Sequence, residues 1–127
     1  MALREADCQV KDLAFIGAHG SATKKGDRSE LMSILDAMQS AEANIPVCGM
    51  KPYTGHMGAA SDLAEIILGI KAVKEGLVPA TLNFTETEKA FSGLNLSGLH
   101  QRCMGEVFLS LSYGMGGQSS AIVISAS

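Results

Sequence analysis

The chain has 127 residues, 46% of them hydrophobic, and a mean hydropathy of +0.19. These values are typical of a folded domain and exclude an intrinsically disordered segment. Ten basic residues against 13 acidic ones give a formal charge of −3, whereas nucleic-acid binding requires clustered positive charge. We therefore expect a single domain over residues 1–127 and no nucleic-acid partner.

The cysteines and the apolar segments bear on the cellular compartment. Cys8, Cys48 and Cys103 are far apart and form no CxxC pair, so neither a zinc site nor a redox motif is predicted. Unpaired thiols favour a reducing compartment. The first residues are typical of a helix and not of a signal peptide. The longest apolar stretch, residues 59–73, contains charged residues that a membrane span would avoid. We expect a cytoplasmic protein with no membrane partner, metal or cofactor.

The first predicted elements are a strand and a helix. Residues 13–16 are apolar at every position, which indicates a strand covered on both faces. A glycine-containing loop, residues 17–21, follows it. Asp27 then precedes Glu30 by three residues, the spacing of a capping box, which predicts a helix that begins there. The apolar stripe of this helix comprises Leu31, Ile34, Leu35 and Met38.

The second half of the pattern begins with a short β-prone segment at 45–48 and a glycine-rich loop at 49–58. A helix is then predicted from about residue 59 to residue 75, because Gly76 is a common residue just past a helix end. One broad face of this helix carries Ala59, Leu63, Ile66, Ile67, Ile70 and Val73, and the opposite arc carries Leu68, Gly69 and Ala72. A helix that is apolar on most sides is usually buried on most sides.

The chain closes with two further strands. Residues 79–83 predict an extended exit from the helix, and residues 85–102 a polar loop. Strands are predicted at 107–113 and 121–124, joined by the glycine-rich turn 114–117. The order β-α-β-α-β-β predicts a layered α/β fold with two main helices. Its sheet is mixed, because strands joined by a short turn are antiparallel.

Two glycine-flanked histidines are the candidates for chemistry. His19 follows the first strand and His56 precedes the second helix, and small neighbours would let a substrate approach either imidazole. Lys51 lies at a fixed distance before His56 and joins them as a candidate. We expect all three to converge at one end of the sheet. His100 lies in a polar loop and is predicted to be structural or solvated.

The turn 114–117 is a near match to a dinucleotide-binding motif. Ser119 stands where the last glycine would be, and a strand follows instead of a helix, which argues against dinucleotide binding. A turn over residues 113–117, beginning with Tyr113, whose backbone amides point into a site is the better hypothesis.

Together these segments closely resemble the C-terminal half of β-ketoacyl-acyl carrier protein synthases (ketosynthases), which have the thiolase-like fold. The matching segments, in order, are His19-Gly20-Ser21-Ala22-Thr23, Asp27 to Glu30, Lys51 with Gly55-His56 and Gly58-Ala59-Ala60, Pro79 to Asn83, and Gly114-Met115-Gly116-Gly117. The resemblance extends almost from end to end. It implies a thiolase-like half-domain over residues 1–127, with the N-terminal half that carries the nucleophilic cysteine absent.

The resemblance implies a decarboxylative Claisen condensation by a complete parent enzyme, an acyltransferase of fatty acid or polyketide synthesis. His19 and His56 would donate hydrogen bonds to the malonyl thioester carbonyl and stabilise the enolate. Lys51 would pair with Glu30. Further implied site residues are Asp27 and Thr23 as supporting groups, and Gly114, Met115 and Gly116 as the substrate-binding and oxyanion loop. The implied partners are an acyl carrier protein with its acyl or malonyl group, and the N-terminal half.

Two departures from the family concern activity and specificity. The chemistry needs an activated thiolate, and none of the three cysteines stands on a turn before a buried helix, so we predict that this chain alone is inactive. Met115 replaces the family's gating phenylalanine, which leaves acyl-chain specificity open.

Two alternatives remain. One is a non-catalytic, ketosynthase-like partner subunit of the chain-length-factor type, although such a subunit need not keep His19, Lys51 and His56 together. The other is a thiolase, which would have a cysteine in the closing loop where this chain has Met115.

The second helix also predicts self-association. In the family it lies between the two halves, so the absence of one half would expose Ile66, Ile67 and Ile70. Large apolar patches are uncommon on soluble monomers, and a two-fold dimer is the simplest way to cover one.

Overall fold

The computed structural model describes all 127 residues. The strands are β1 (Phe15–Ala18), β2 (Pro46–Gly49), β3 (Leu77–Val78), β4 (Asn95–Leu96), β5 (Gln101–Arg102), β6 (Val107–Tyr113) and β7 (Ser119–Ser125). The helices are α1 (Ala2–Glu5), α2 (Lys24–Ser40), α3 (Lys51–Thr54) and α4 (Ala59–Lys74), with 3₁₀ turns at Val10–Asp12 and Lys89–Phe91.

Five strands form one sheet in the order β4-β2-β1-β6-β7, and β3 pairs with β5 separately. β1 is parallel to both β2 and β6, and β2 is parallel to β4. β7 is antiparallel to β6. The predicted mixed sheet is therefore confirmed, and the carboxyl ends of β1, β2 and β6 lie at the same edge.

Each face of this sheet packs against one long helix. Adjacent strand residues belong to different core clusters, as with Ile16 and Phe15, because successive side chains point to opposite faces. Ile34 of α2 packs in the cluster on one face, and Val73 of α4 packs in the cluster on the other. The prediction that the first strand is covered on both sides is confirmed.

Helix α2 begins four residues earlier than the capping-box spacing predicted, in which Asp27 would be the N-cap. Its N-cap is Thr23, with extended backbone angles of φ −97° and ψ 130°. Asp27 lies within the first turn, and the Glu30 side chain does not bond the N-cap amide. The prediction of the start was wrong because the Glu30 side chain bonds amides of the preceding loop and not the N-cap amide.

Helix α4 has the predicted bounds to within a residue but packs on a different side. Its buried residues are Ser61, Glu65, Gly69 and Val73, which recur every four positions. Leu63 and Ile67 are 63% and 56% exposed. Much of the broad apolar face therefore does not face the sheet, although Val73 and Ile70 pack against its core cluster. A Cβ on Gly69 would lie 2.6 Å from the Phe108 ring. Position 69 of α4 therefore has no side chain, because the aromatic ring fills that space.

The segment predicted as a polar loop, residues 85–102, contains β4, β5 and a 3₁₀ turn. It also contributes Phe91 and Leu94 to the core. Short paired segments of two residues carry no periodicity that the sequence could reveal. None of the helices combines the length and the hydrophobicity that a transmembrane span requires.

Candidate active site

Three polar side chains meet at the shared carboxyl edge of the parallel strands. His19 directly follows β1, Lys51 begins α3 just after β2, and Tyr113 ends β6. The carboxyl ends of parallel strands are the usual place for a site in an α/β fold. The positions of these residues therefore follow from the sheet topology.

The loop that carries His19 is held by Glu30 of α2. The backbone N–H groups of His19 and Gly20 donate to the two carboxylate oxygens of Glu30, at 2.6 and 3.0 Å. Glu30 is only 5% exposed, and burial raises the pKa of its carboxyl although the two backbone bonds oppose this. Glu30 thus acts on the backbone of the histidine loop.

Lys51 is paired with Glu65 of α4 and not with Glu30. Its Nζ lies 2.9 Å from Glu65 Oε1 and donates to the His19 carbonyl oxygen at 2.6 Å. The expected Lys51–Glu30 ion pair was wrong, because Lys51 Nζ is paired with Glu65, while Glu30 accepts the loop amides. Both Lys51 and Glu65 are buried. Burial raises the pKa of the Glu65 carboxyl above its ordinary value, although the bond to Lys51 opposes this.

The contact between Lys51 and His19 favours one position for the proton of the His19 ring. Lys51 Nζ lies 3.4 Å from His19 Nδ1, and an ammonium group can only donate. Nδ1 is therefore the acceptor, and the proton of a neutral ring is on Nε2. Burial lowers the pKa of His19, and the positive charge of Lys51 lowers it further, so the neutral ring is favoured.

His56 has the same proton arrangement for a different reason. The Gly58 backbone N–H donates to His56 Nδ1 at 3.1 Å, which places the proton of the neutral ring on Nε2. The His19 and His56 ring centroids are 5.8 Å apart, and the rings are nearly perpendicular at 86°. The predicted convergence of His19, Lys51 and His56 is confirmed.

Both imidazoles line a cavity of about 580 Å³. Gly114 and Met115 of the closing turn also line it, and Met115 is 98% exposed. Gly116, expected in the same loop, has φ +84° and does not line the cavity.

The two expected supporting residues lie outside this cavity. Thr23 Oγ1 is 2.9 Å from Ser21 Oγ. Asp27 lines a neighbouring cleft, and its Oδ1 is buried without a hydrogen-bond partner. Neither side chain contacts an imidazole through a hydrogen bond.

Sequence reasoning included Tyr113 in the closing turn but not its contact with His19, and it missed Ser112 and Asp62. Tyr113 packs edge-on against His19, with ring centroids 5.9 Å apart. Ser112 Oγ donates to Asp62 Oδ2 at 2.8 Å across the cavity wall. Tyr113 and Ser112 were placed in a strand and Asp62 in a helix, and only the meeting of β6 with α4 brings them together. By contrast, the structural role predicted for His100 is confirmed, because its Nδ1 accepts the Ala80 N–H at 3.0 Å.

Comparison with known proteins decides the family. Residues 1–85 match the family described as beta-ketoacyl synthase, C-terminal domain. The chain belongs to this family. The expected thiolase-like ketosynthase half-domain, with its mixed sheet, is thereby confirmed.

Individual ketosynthases resemble the chain along nearly its whole length. The 3-oxoacyl-(acyl-carrier-protein) synthase 2 of Synechocystis sp. is 29% identical over 118 residues, which cover 93% of this chain and 28% of that protein. The tetracenomycin polyketide synthase ketoacyl synthase alpha subunit of Streptomyces glaucescens is 28% identical over 97% of this chain and 29% of that protein.

A solved structure of a type II PKS acyl-carrier protein in complex with its ketosynthase bound to the hexaketide is also similar. It superimposes with a TM-score of 0.88 and 27% identity over 100% of this chain and 31% of that chain. The chain thus spans less than a third of the length of these relatives.

The cysteines of this ketosynthase domain do not line the cavity of the two histidines. Cys48 is 1% exposed in β2, and burial raises the pKa of its thiol to about 12. Burial also raises the pKa values of the Cys8 and Cys103 thiols. Reactive thiols in proteins usually have lowered pKa values, whereas burial raises the pKa of all three thiols here.

Proposed function

We propose that this domain supplies the carbonyl-binding part of a ketosynthase active site, in a complete enzyme that condenses an acyl thioester with malonyl-acyl carrier protein. The observation that carries the proposal is the paired imidazoles. His19 and His56 lie 5.8 Å apart on one cavity, and each has Nδ1 engaged as an acceptor so that Nε2–H is free to donate.

In this proposal the two Nε2–H groups donate to the carbonyl oxygen of the malonyl thioester. The bond between the α-carbon and the carboxylate breaks, and carbon dioxide leaves. The electron pair of that bond remains with the α-carbon and forms the enolate. The two donors stabilise the negative oxygen of the enolate. Preformed donors aimed at developing charge are the largest single contribution in many enzymes. The α-carbon then attacks an acyl thioester carbonyl, and the nucleophile's thiolate leaves.

The supporting residues hold these donors in place. Lys51 keeps the His19 proton on Nε2, and its positive charge favours the neutral ring. Glu30 fixes the loop backbone at His19 and Gly20. We assign Gly114 and Met115, which line the same cavity, to the acyl side of the site, with Gly116 shaping the turn.

The proposal requires two partners. An acyl carrier protein delivers the acyl and malonyl groups, and an N-terminal ketosynthase half supplies the thiolate. Because no cysteine of this chain lines the cavity, we propose that the chain alone forms no acyl-enzyme and condenses nothing. A non-catalytic partner subunit of the chain-length-factor type is the alternative, and it would not require either histidine to contact a thioester.

Binding of a malonyl thioester distinguishes these two functions. We expect malonyl-N-acetylcysteamine to shift the ring ¹H–¹⁵N NMR signals of His19 and His56 with a single dissociation constant. The substitutions His19→Asn and His56→Asn keep an acceptor near the Nδ1 position but remove Nε2–H. Each should weaken binding about three- to tenfold, the value of one neutral hydrogen bond.

The matched control is His100→Asn, because His100 also accepts a backbone N–H through Nδ1 but does not line the cavity. This variant should bind like the unmodified chain. Binding that persists unchanged in both His19→Asn and His56→Asn would exclude the proposed carbonyl contact.

A further inference from the structure

One face of α4 anchors both histidines. Its buried stripe carries Ser61 and Glu65 at successive turns, 0% and 2% exposed. Glu65 accepts from Lys51 Nζ at 2.9 Å, and the same Nζ donates to the His19 carbonyl at 2.6 Å. The Lys51 side chain alone therefore connects Glu65 to the His19 backbone.

Ser61 makes the corresponding connection to His56. Its Oγ accepts the Met57 backbone N–H at 2.7 Å. Because a peptide unit is planar, the bond to the Met57 N–H restrains the plane between residues 56 and 57, and with it the ψ angle of His56. The bond from the Gly58 N–H to Nδ1 fixes the ring itself.

The loop needs such an anchor because it has little other support. His56 and Met57 are exposed and lie between Gly55 and Gly58, whose φ angles are +75° and +61°. The His56 N–H makes no hydrogen bond in the structure. Without the Ser61 bond, two glycines at its ends would leave this segment free to rotate.

We propose that Ser61 is the positioning residue of His56, so that the Ser61–Glu65 stripe of α4 sets the separation of the two imidazoles. Residues four apart lie on one face of a helix, so Ser61 and Glu65 hold the two histidine loops from the same face of α4. Asp62, the next residue along, adds a bond to Ser112 and ties the same turn of α4 to the end of β6. The catalytic consequence of this inference rests on the proposed function, but its structural content does not.

The test is NMR of Ser61→Ala. The amide hydrogen exchange of Met57 should become about tenfold faster or more, since its acceptor is lost. The ¹⁵N shifts of the His56 ring should change from a pure Nε2–H tautomer towards a mixture of the two tautomers. The His19 ring and the His19 amide should not change, because Lys51 and Glu30 still hold them. A general loss of stability would not change His56 and Met57 while leaving His19 unchanged.

The matched control is Ser97→Ala, which removes the same kind of bond, from the Leu99 N–H to Ser97 Oγ, in a loop away from the cavity. It should leave His56 unchanged. Unchanged Met57 exchange and His56 tautomer in Ser61→Ala, or equal changes at both histidines, would overturn the inference.

The unmodified chain provides a second test if Ser61→Ala does not fold. Its Met57 amide should exchange about tenfold more slowly than the unbonded His56 amide, and equal rates would exclude the anchor. Failure of the proposed function can be distinguished from failure of this inference. In the first case a malonyl thioester would perturb neither imidazole, but the exchange and tautomer results would still hold.

Discussion

Lys51 is the residue through which the buried charges of the site are balanced. It is 6% exposed, and its Nζ lies 2.9 Å from Glu65 Oε1, 2.6 Å from the His19 carbonyl oxygen and 3.4 Å from His19 Nδ1. A buried ammonium is tolerated only when it is paired and fully hydrogen-bonded. The same contacts that satisfy Lys51 also orient His19, so the ion pair and the imidazole form one unit.

The effect of Lys51 on His19 can be measured by comparing Glu65→Gln with the double variant Lys51→Met/Glu65→Gln. Both lack the Glu65 charge, and they differ only at Lys51. The Lys51 charge is the second cause, after burial, of the lowered pKa of His19. We expect the NMR-monitored pKa of His19 to be higher in the double variant, nearer the ordinary value of 6.5.

The pH dependence of stability should change in parallel. Between the lowered pKa and 6.5 the unfolded chain binds more protons at His19 than the folded chain, so the free energy of unfolding rises with pH across that interval. The rise in the free energy of unfolding should be smaller in the double variant, because the His19 pKa then lies nearer to 6.5. An identical His19 pKa in both variants would show that Lys51 does not act on the ring.

At the scale of elements, periodicity predicted the four longest strand segments and both long helices. It failed where tertiary contacts decide. The start of α2 was misplaced because Glu30 bonds loop amides. The Lys51–Glu65 pair was missed because the two residues lie on different helices. The path of the loop between these helices cannot be read from sequence spacing. His19, His56 and Lys51 could be predicted because each follows or precedes an element that ends at one sheet edge.

The packing of α4 on the sheet gives an element-scale prediction. Gly69→Ala would place a Cβ 2.6 Å from the ring of Phe108, which is itself 0% exposed and stacked on Phe15 with centroids 4.8 Å apart. Alanine favours a helix by roughly 1 kcal/mol, but overpacking costs about 1–3 kcal/mol. We expect a net decrease in the free energy of unfolding, measured by urea denaturation.

The control for this substitution is Gly93→Ala. Its Cβ would meet Leu35 Cδ1 at 3.8 Å, an ordinary van der Waals contact. Gly93→Ala should be close to neutral. A Gly69→Ala variant at least as stable as the original chain would show that α4 can move away from β6 at no cost.

At the scale of the whole molecule, α4 has one face on the sheet and another without a partner. Leu63 and Ile67 are 63% and 56% exposed, and the partly buried Ile66 and Ile70 adjoin them. The proposed complete enzyme would cover this face with its N-terminal half. For this chain alone in solution, the apolar area remains available for association.

We expect the isolated chain to self-associate through this face of α4, most simply as a two-fold dimer in which the same face meets itself. Light scattering at micromolar concentration should give twice the monomer mass. The double substitution Leu63→Lys/Ile67→Lys should give a monomer, since it places charges at the centre of the contact. Leu99→Lys is the matched control, because Leu99 is 77% exposed and lies on a different part of the chain, so this variant should remain dimeric. A monomeric unmodified chain, or a dimer that survives the double substitution, would show that α4 does not form the contact.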